Sequence, residues 1–347
     1  MQNSYGTPSL GRPISERNYG IDVARLVSMF LVVLLHNLGH GGILDWTFDS
    51  KRDIAYAVIE NYSIIAVNVF ALISGYLSGG KRVKIRHVLS LWGAAVFWSF
   101  TTTIVGLARG DFGPEAVVES LFPVLTHEYW YLNSFLILQL FSPLLSSALK
   151  TLEWRRVCAS AFALLFCVSF LSPKNGLGVN NGYSALWLIT LWLVGASIKM
   201  LEQQMRELIG TDRLVLAAIF LPLITTALQY HSAVAGNDDP TRWVNYTNPL
   251  VTAYSLVVFL LALRLNVRRP SIQNLLKTLS PLAFGVYLID QSNWFFDVWL
   301  TDRFRGILEA SLTRGIPLIL IISILMYATF LFLEYMRQQL ARHIKAS

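Results

Sequence analysis

Apolar runs of membrane-crossing length follow one another along nearly the whole chain, separated by short polar segments that carry Gly, Pro and most of the basic residues. A helix needs about 20 mostly apolar residues to cross a hydrocarbon core. On that measure the pattern predicts ten spans, at residues 21–38, 54–79, 87–108, 130–149, 157–171, 183–200, 214–231, 249–263, 276–295 and 316–335. Pro222 and Pro281 fall inside two of these runs and predict kinks that neighbouring helices can accommodate. The expected fold is an all-α integral membrane protein, a bundle of about ten transmembrane helices with both termini cytoplasmic. Residues 1–20 form a cytoplasmic N-terminal segment, 21–337 a single transmembrane domain, and 338–347 a cytoplasmic tail.

Composition agrees with the pattern: 54% of the 347 residues are hydrophobic and 14% charged, too apolar for the surface of a soluble domain. Arg12, Glu16 and Arg17 precede the first run and no small-residue cleavage site follows it, so it reads as a retained helix. With the N-terminus inside, 19 of the 28 basic residues fall in inner segments and 8 in outer ones, the last being Arg25 within the first span. This asymmetry sets the orientation. It also accounts for the net charge of +7 without nucleic acid, because the cations are spread over short loops. Cys158 and Cys167 share one apolar run and read as packing residues.

Polar groups inside the spans carry the chemical information, because each costs free energy in hydrocarbon. Arg25 and His36, eleven residues apart, lie about 20° apart around a helix and roughly 16 Å apart along it. They share a face, one towards each side of the membrane. Asp22 is placed to pair with Arg25 three residues on. His36 and His40 have metal-binding spacing, but the segment offers no third ligand, and no metal is expected. The basic cluster Lys81, Arg82, Lys84 and Arg86 lies at an inner loop. Ordinary topology determination and attraction to anionic lipid are its plainer explanation. His127, Glu128, Tyr129, Trp130 and Tyr131, and Asp290, Gln291, Asn293 and Trp294, mix rings with polar groups at the outer end, as a carbohydrate site would; aromatic belts form there regardless of function. Glu60 and Asn61 are of similar polarity. Ser74, Gly75 and Tyr76 read as helix-packing residues, and Ser74 has no base in its segment.

Arg17, Asp22 and Arg25, then ten residues and His36, resemble the first-helix signature of the membrane acyltransferase-3 family, bacterial multi-spanning O-acyltransferases of surface glycans. NVFALISGYLSGGKR (68–82), YWYLNSFLILQLFSPLL (129–145) and LSPLAFGVYLIDQ (279–291) resemble its later blocks in order and spacing. The chain departs from the pattern at Asn68, where many members carry an acid, and at Asp290, where many carry a histidine. No appended extracytoplasmic domain is expected.

The resemblance implies a bacterial plasma (inner) membrane enzyme without a permanently bound cofactor. It would take acyl-CoA, most simply acetyl-CoA, from the cytoplasm and an acceptor hydroxyl on a carbohydrate or lipid-linked glycan near the outer face. On this reading His36 and Arg25 are the catalytic pair. Arg25, Arg82, Lys84 and Arg86 bind the donor, and Glu128, Trp130, Tyr131, Glu60 and Asp290 the acceptor. His36 acts as general base or forms an acyl-imidazole, and the oxyanion donor is Asn68, Tyr76 or a tyrosine of another helix. Two further readings stand beside this one: a transporter or flippase using Arg25, His36 and Glu60 as a path, and an acyltransferase acting on a peptide or small amine.

Overall fold

The computed structural model describes residues 17–78, 85–170, 178–236 and 239–346. Helix α1 (Tyr19–Gly39) is started by Asn18, whose side chain accepts from the Gly20 N–H. A capping box between Ser50 and Asp53 starts α2 (Lys51–Ser63), which continues after a break at Ile64 and Ile65 as α3 (Ala66–Ser78). Ser63 Oγ donates to the Ile59 carbonyl at 2.8 Å, a back-bond that bends helices just where the single predicted span divides. Then come α4 (Ile85–Arg109), the short α5 (Glu115–Glu119), α6 (Trp130–Thr151) and α7 (Trp154–Phe170). The second half holds α8 (Ala185–Leu208), α9 (Thr211–Ala235), α10 (Pro249–Arg264), α11 (Pro270–Leu279), α12 (Ala283–Asp290) and α13 (Leu312–Ala346).

Among the described residues the structure is all-helical, and eight helices are long and apolar enough to cross a membrane, counting α2 and α3 as one. Two of the ten predicted spans fall short as single helices. α7 has 17 residues. The ninth run is divided by a 3₁₀ turn, Ser280–Leu282, at Pro281, where the missing N–H interrupts the ladder. The run also ends early: a π-helical turn, Trp294–Trp299, replaces its last residues and leads into a loop over the C-terminal end of α1. There the Asp302 and Phe304 N–H groups donate to the His40 and Gly41 carbonyls at 2.9 and 2.8 Å. α9 passes through Pro222 as one helix, and Tyr62 Oη donates to the Ile219 carbonyl beside that gap at 2.8 Å.

Helix α1 lies at the centre, packed against α3, α10, α12 and α13. Beside it α3 and α8 approach closely enough to exclude a side chain. A Cβ on Gly75 would meet the Trp192 carbonyl oxygen at 1.9 Å, and one on Gly195 the Leu72 carbonyl oxygen at 2.2 Å. Small residues permit such contact where lipid supplies no hydrophobic drive between helices. Gly75→Ala is therefore expected to lower stability by about 1–3 kcal/mol. Gly93→Ala on α4, where nothing lies within 4 Å, is the matched control. Unfolding midpoints in detergent check the difference; equal midpoints would contradict it.

Candidate active site

Arg25 opens onto a cavity of about 1030 Å³ whose walls come from α1, α3, α4, α6 and the α11–α12 turn. Ser74, Ser78, Arg86, His87, Ser90, Gln139 and Ser280 add polar groups, and Phe70, Tyr131, Phe135 and Phe284 much of the apolar wall. Arg25 Nη1 donates to Ser280 Oγ at 2.9 Å and lies 3.9 Å from Asp22. The expected Asp22 to Arg25 pair is thus the weaker of two. Asp22 is gripped by Arg17, whose Nε and Nη2 donate to the two carboxylate oxygens at 2.6 and 2.9 Å. That fork raises the proton affinity of Arg17, chiefly through the hydrogen bond. Most of the Arg25 charge is left for whatever enters the cavity. Arg86, predicted from sequence, faces the same space; Lys81, Arg82 and Lys84 lie outside the described residues.

The other end of the shared α1 face holds His36, whose Nδ1 lies 2.6 Å from Asp290 Oδ2. A carboxylate only accepts, so Nδ1 carries the proton and Nε2 keeps the lone pair. Asp290 is fully buried, whereas the His36 side chain retains 17% exposure. Asp290, expected at the acceptor site, stands behind the imidazole and lines neither cavity. His36 lines a second, smaller cavity of about 30 Å³ with Trp130, Tyr131, Tyr246, Tyr287 and Gln291. His40, past the end of α1, packs on Phe296 with ring centroids 3.8 Å apart. Burial, and then the neighbouring His36, lowers its proton affinity.

The remaining predicted acceptor residues divide. Trp130 and Tyr131 line the His36 chamber, and Trp130 also packs on Tyr183 and Tyr246 at centroid distances of 4.5 and 6.0 Å. Glu128 does not line it. Its oxygens accept from Ser99 Oγ at 2.5 Å and from the Asn293 N–H at 3.1 Å, tying α4 to the turn beyond α12. Burial raises the proton affinity of this carboxyl. Glu60 belongs to a separate buried network between α2 and α9, taking hydrogen bonds from Trp46 Nε1 at 3.2 Å and Gln229 Nε2 at 3.4 Å. Neither of these carboxylates meets the chamber, because each already satisfies hydrogen bonds that hold helices together.

The two named oxyanion candidates are likewise committed. Asn68 is fully buried, donating to the Tyr246 carbonyl at 2.9 Å and accepting from Trp187 Nε1 at 2.9 Å. Tyr76 donates to Glu202 at 2.5 Å. Ser280, which holds Arg25, was passed over in sequence. Its only signal was a polar residue beside Pro281 inside an apolar run.

The arginine and the histidine each face a cavity, and the two cavities share the rings of Phe70, Tyr131 and Phe284. A family model described as an acyltransferase domain matches residues 18–335, nearly the whole chain and all of these residues. The chain belongs to the membrane acyltransferase-3 family. No curated protein and no solved structure matches it. The family match favours a membrane acyltransferase over the transporter reading.

Proposed function

We propose that this acyltransferase moves an acetyl group from acetyl-CoA, bound on the cytoplasmic side in the Arg25 cavity, to a hydroxyl of a surface carbohydrate or its lipid-linked precursor. The acceptor hydroxyl reaches His36 from the outer side of a bacterial inner membrane. The chain crosses that membrane ten times, with α7 and the α11–α12 pass completing the count and both termini in the cytoplasm. One observation carries the reading: Arg25 and His36, on one face of α1, line adjoining cavities that meet at a shared aromatic wall.

The donor cavity has the volume of a site for a large ligand. Arg86 and Arg25 give it cations at two depths for the phosphates of CoA. Space beside His36 amounts to only a few water-sized volumes. That favours a two-carbon acyl group over a long one. Nε2 of His36, the accepting nitrogen of the neutral tautomer that donates to Asp290 through Nδ1, takes the hydroxyl proton as the oxygen attacks the thioester.

Labelled acetyl-CoA supplied to the purified protein in lipid nanodiscs should yield free thiol and an alkali-labile ester on a carbohydrate acceptor. Thiol release no greater than that of His36→Ala protein would overturn the reading, and label on an amine would redirect it to the other acceptor class. Arg25→Gln is expected to raise KM for acetyl-CoA about tenfold or more, since a charge-assisted hydrogen bond contributes about 1.5–3 kcal/mol. An unchanged KM would remove Arg25 from the donor site.

A further inference from the structure

The geometry points to Tyr131 as the catalytic oxyanion donor, its phenolic hydroxyl holding the thioester carbonyl where the two cavities meet. The inference rests on the acyl-transfer reading above and names the group that reading leaves unassigned.

Among the described residues only Phe70, Tyr131 and Phe284 line both cavities, and of these only Tyr131 carries a hydrogen-bond donor. A carbonyl carbon bonded to a sulfur that arrives from the Arg25 side, and attacked by an oxygen on the His36 side, has to lie at this shared wall. Tyr131 is 6% exposed, yet no described side chain or backbone group hydrogen-bonds its hydroxyl. Because the residue lines both cavities, that hydroxyl is placed to donate to a ligand oxygen.

The ring is held in place from several sides. It stacks on Phe135 at 6.2 Å with an interplanar angle of 10°, and meets Phe70 edge-on at 6.5 Å and Tyr287 at 5.9 Å. The Tyr131 N–H donates to Tyr287 Oη at 3.2 Å, which fixes the start of α6 against α12. A donor fixed before the reaction stabilises developing charge without reorganising at that moment.

The step balances as follows. The acceptor oxygen bonds to the thioester carbonyl carbon while its proton passes to His36 Nε2. The carbonyl π pair moves onto the oxygen, which accepts from Tyr131 Oη–H. The oxyanion then re-forms the carbonyl, the C–S bond breaks, and the departing thiolate takes the proton back from the imidazolium, giving ester and CoA thiol.

Tyr131→Phe is expected to lower kcat about 10²–10³-fold, with KM for acetyl-CoA within about twofold of wild type. Tyr254→Phe, at a buried tyrosine that lines neither cavity, should stay within about tenfold. Retained kcat in Tyr131→Phe, a loss confined to KM, or a larger kcat loss in Tyr254→Phe would each overturn the assignment. Should Tyr131→Phe fail to fold, 3-fluorotyrosine at position 131 keeps ring and hydroxyl while strengthening the donor. It is expected to raise kcat at a pH where the phenol stays protonated, and an unchanged or lowered kcat overturns the proposal. Wild-type protein that releases no thiol defeats the acyl-transfer reading itself. Active wild type beside an unaffected Tyr131→Phe defeats only this inference.

Discussion

Replacing His36 by alanine is expected to lower kcat for transfer about 10²–10⁴-fold, the range a positioned general base contributes, and to leave KM for acetyl-CoA nearly unchanged. The first half follows from the chamber wall. Among its described lining residues His36 is the only imidazole, amine or carboxylate; the others are apolar, amide, indole or phenol groups. The second half follows from the separation of the two cavities, since His36 does not line the one that holds Arg25. His40 offers no substitute, because it packs on Phe296 away from both cavities and its proton affinity is lowered by burial. His40→Ala should therefore cost less than about tenfold. Initial rates of thiol release across donor concentrations separate kcat from KM. A His36→Ala protein with wild-type kcat would leave the chamber without a base.

How much of this arrangement was legible in the chain depended on how local the determining contacts are. The shared face of Arg25 and His36 follows from helix periodicity alone, and so did most of the spans. Arg86 could be placed because its run of cations abuts a long apolar segment. Glu128 and Trp130 illustrate the limit. They are two residues apart, yet only Trp130 reaches the chamber. His127, at φ 59°, turns the chain just before them and aims the carboxylate at Ser99 on α4. No periodicity encodes that turn. The π-helical stretch Trp294–Trp299 and the loop that covers His40 follow neither a 3.6- nor a 2-residue period. The fork between Arg17 and Asp22 was hidden differently: helix spacing favours Arg25 as partner, but Arg17 lies before the helix begins, where its side chain is free to reach back.

Asp290→Asn is expected to lower kcat nearly as far as loss of the imidazole does, about 10²–10⁴-fold, although the change is nearly isosteric and keeps a hydrogen-bonding group at 2.6 Å from Nδ1. The reason is the tautomer. A carboxylate can only accept, so it holds the proton on Nδ1 and leaves Nε2 able to take one. An asparagine amide can instead donate to Nδ1, which moves the ring proton to Nε2 and removes the base from the chamber. Asp290 also lends its charge to the imidazolium formed during attack, and the amide does not. Sequence could not pair this residue with His36, because the two lie 254 positions apart on α1 and α12. If the two side chains act as one unit, their losses do not add. The double variant His36→Ala/Asp290→Asn should be no slower than His36→Ala alone. Multiplying losses, or an Asp290→Asn protein with full kcat, would show that Asp290 serves only to fill the space behind α1.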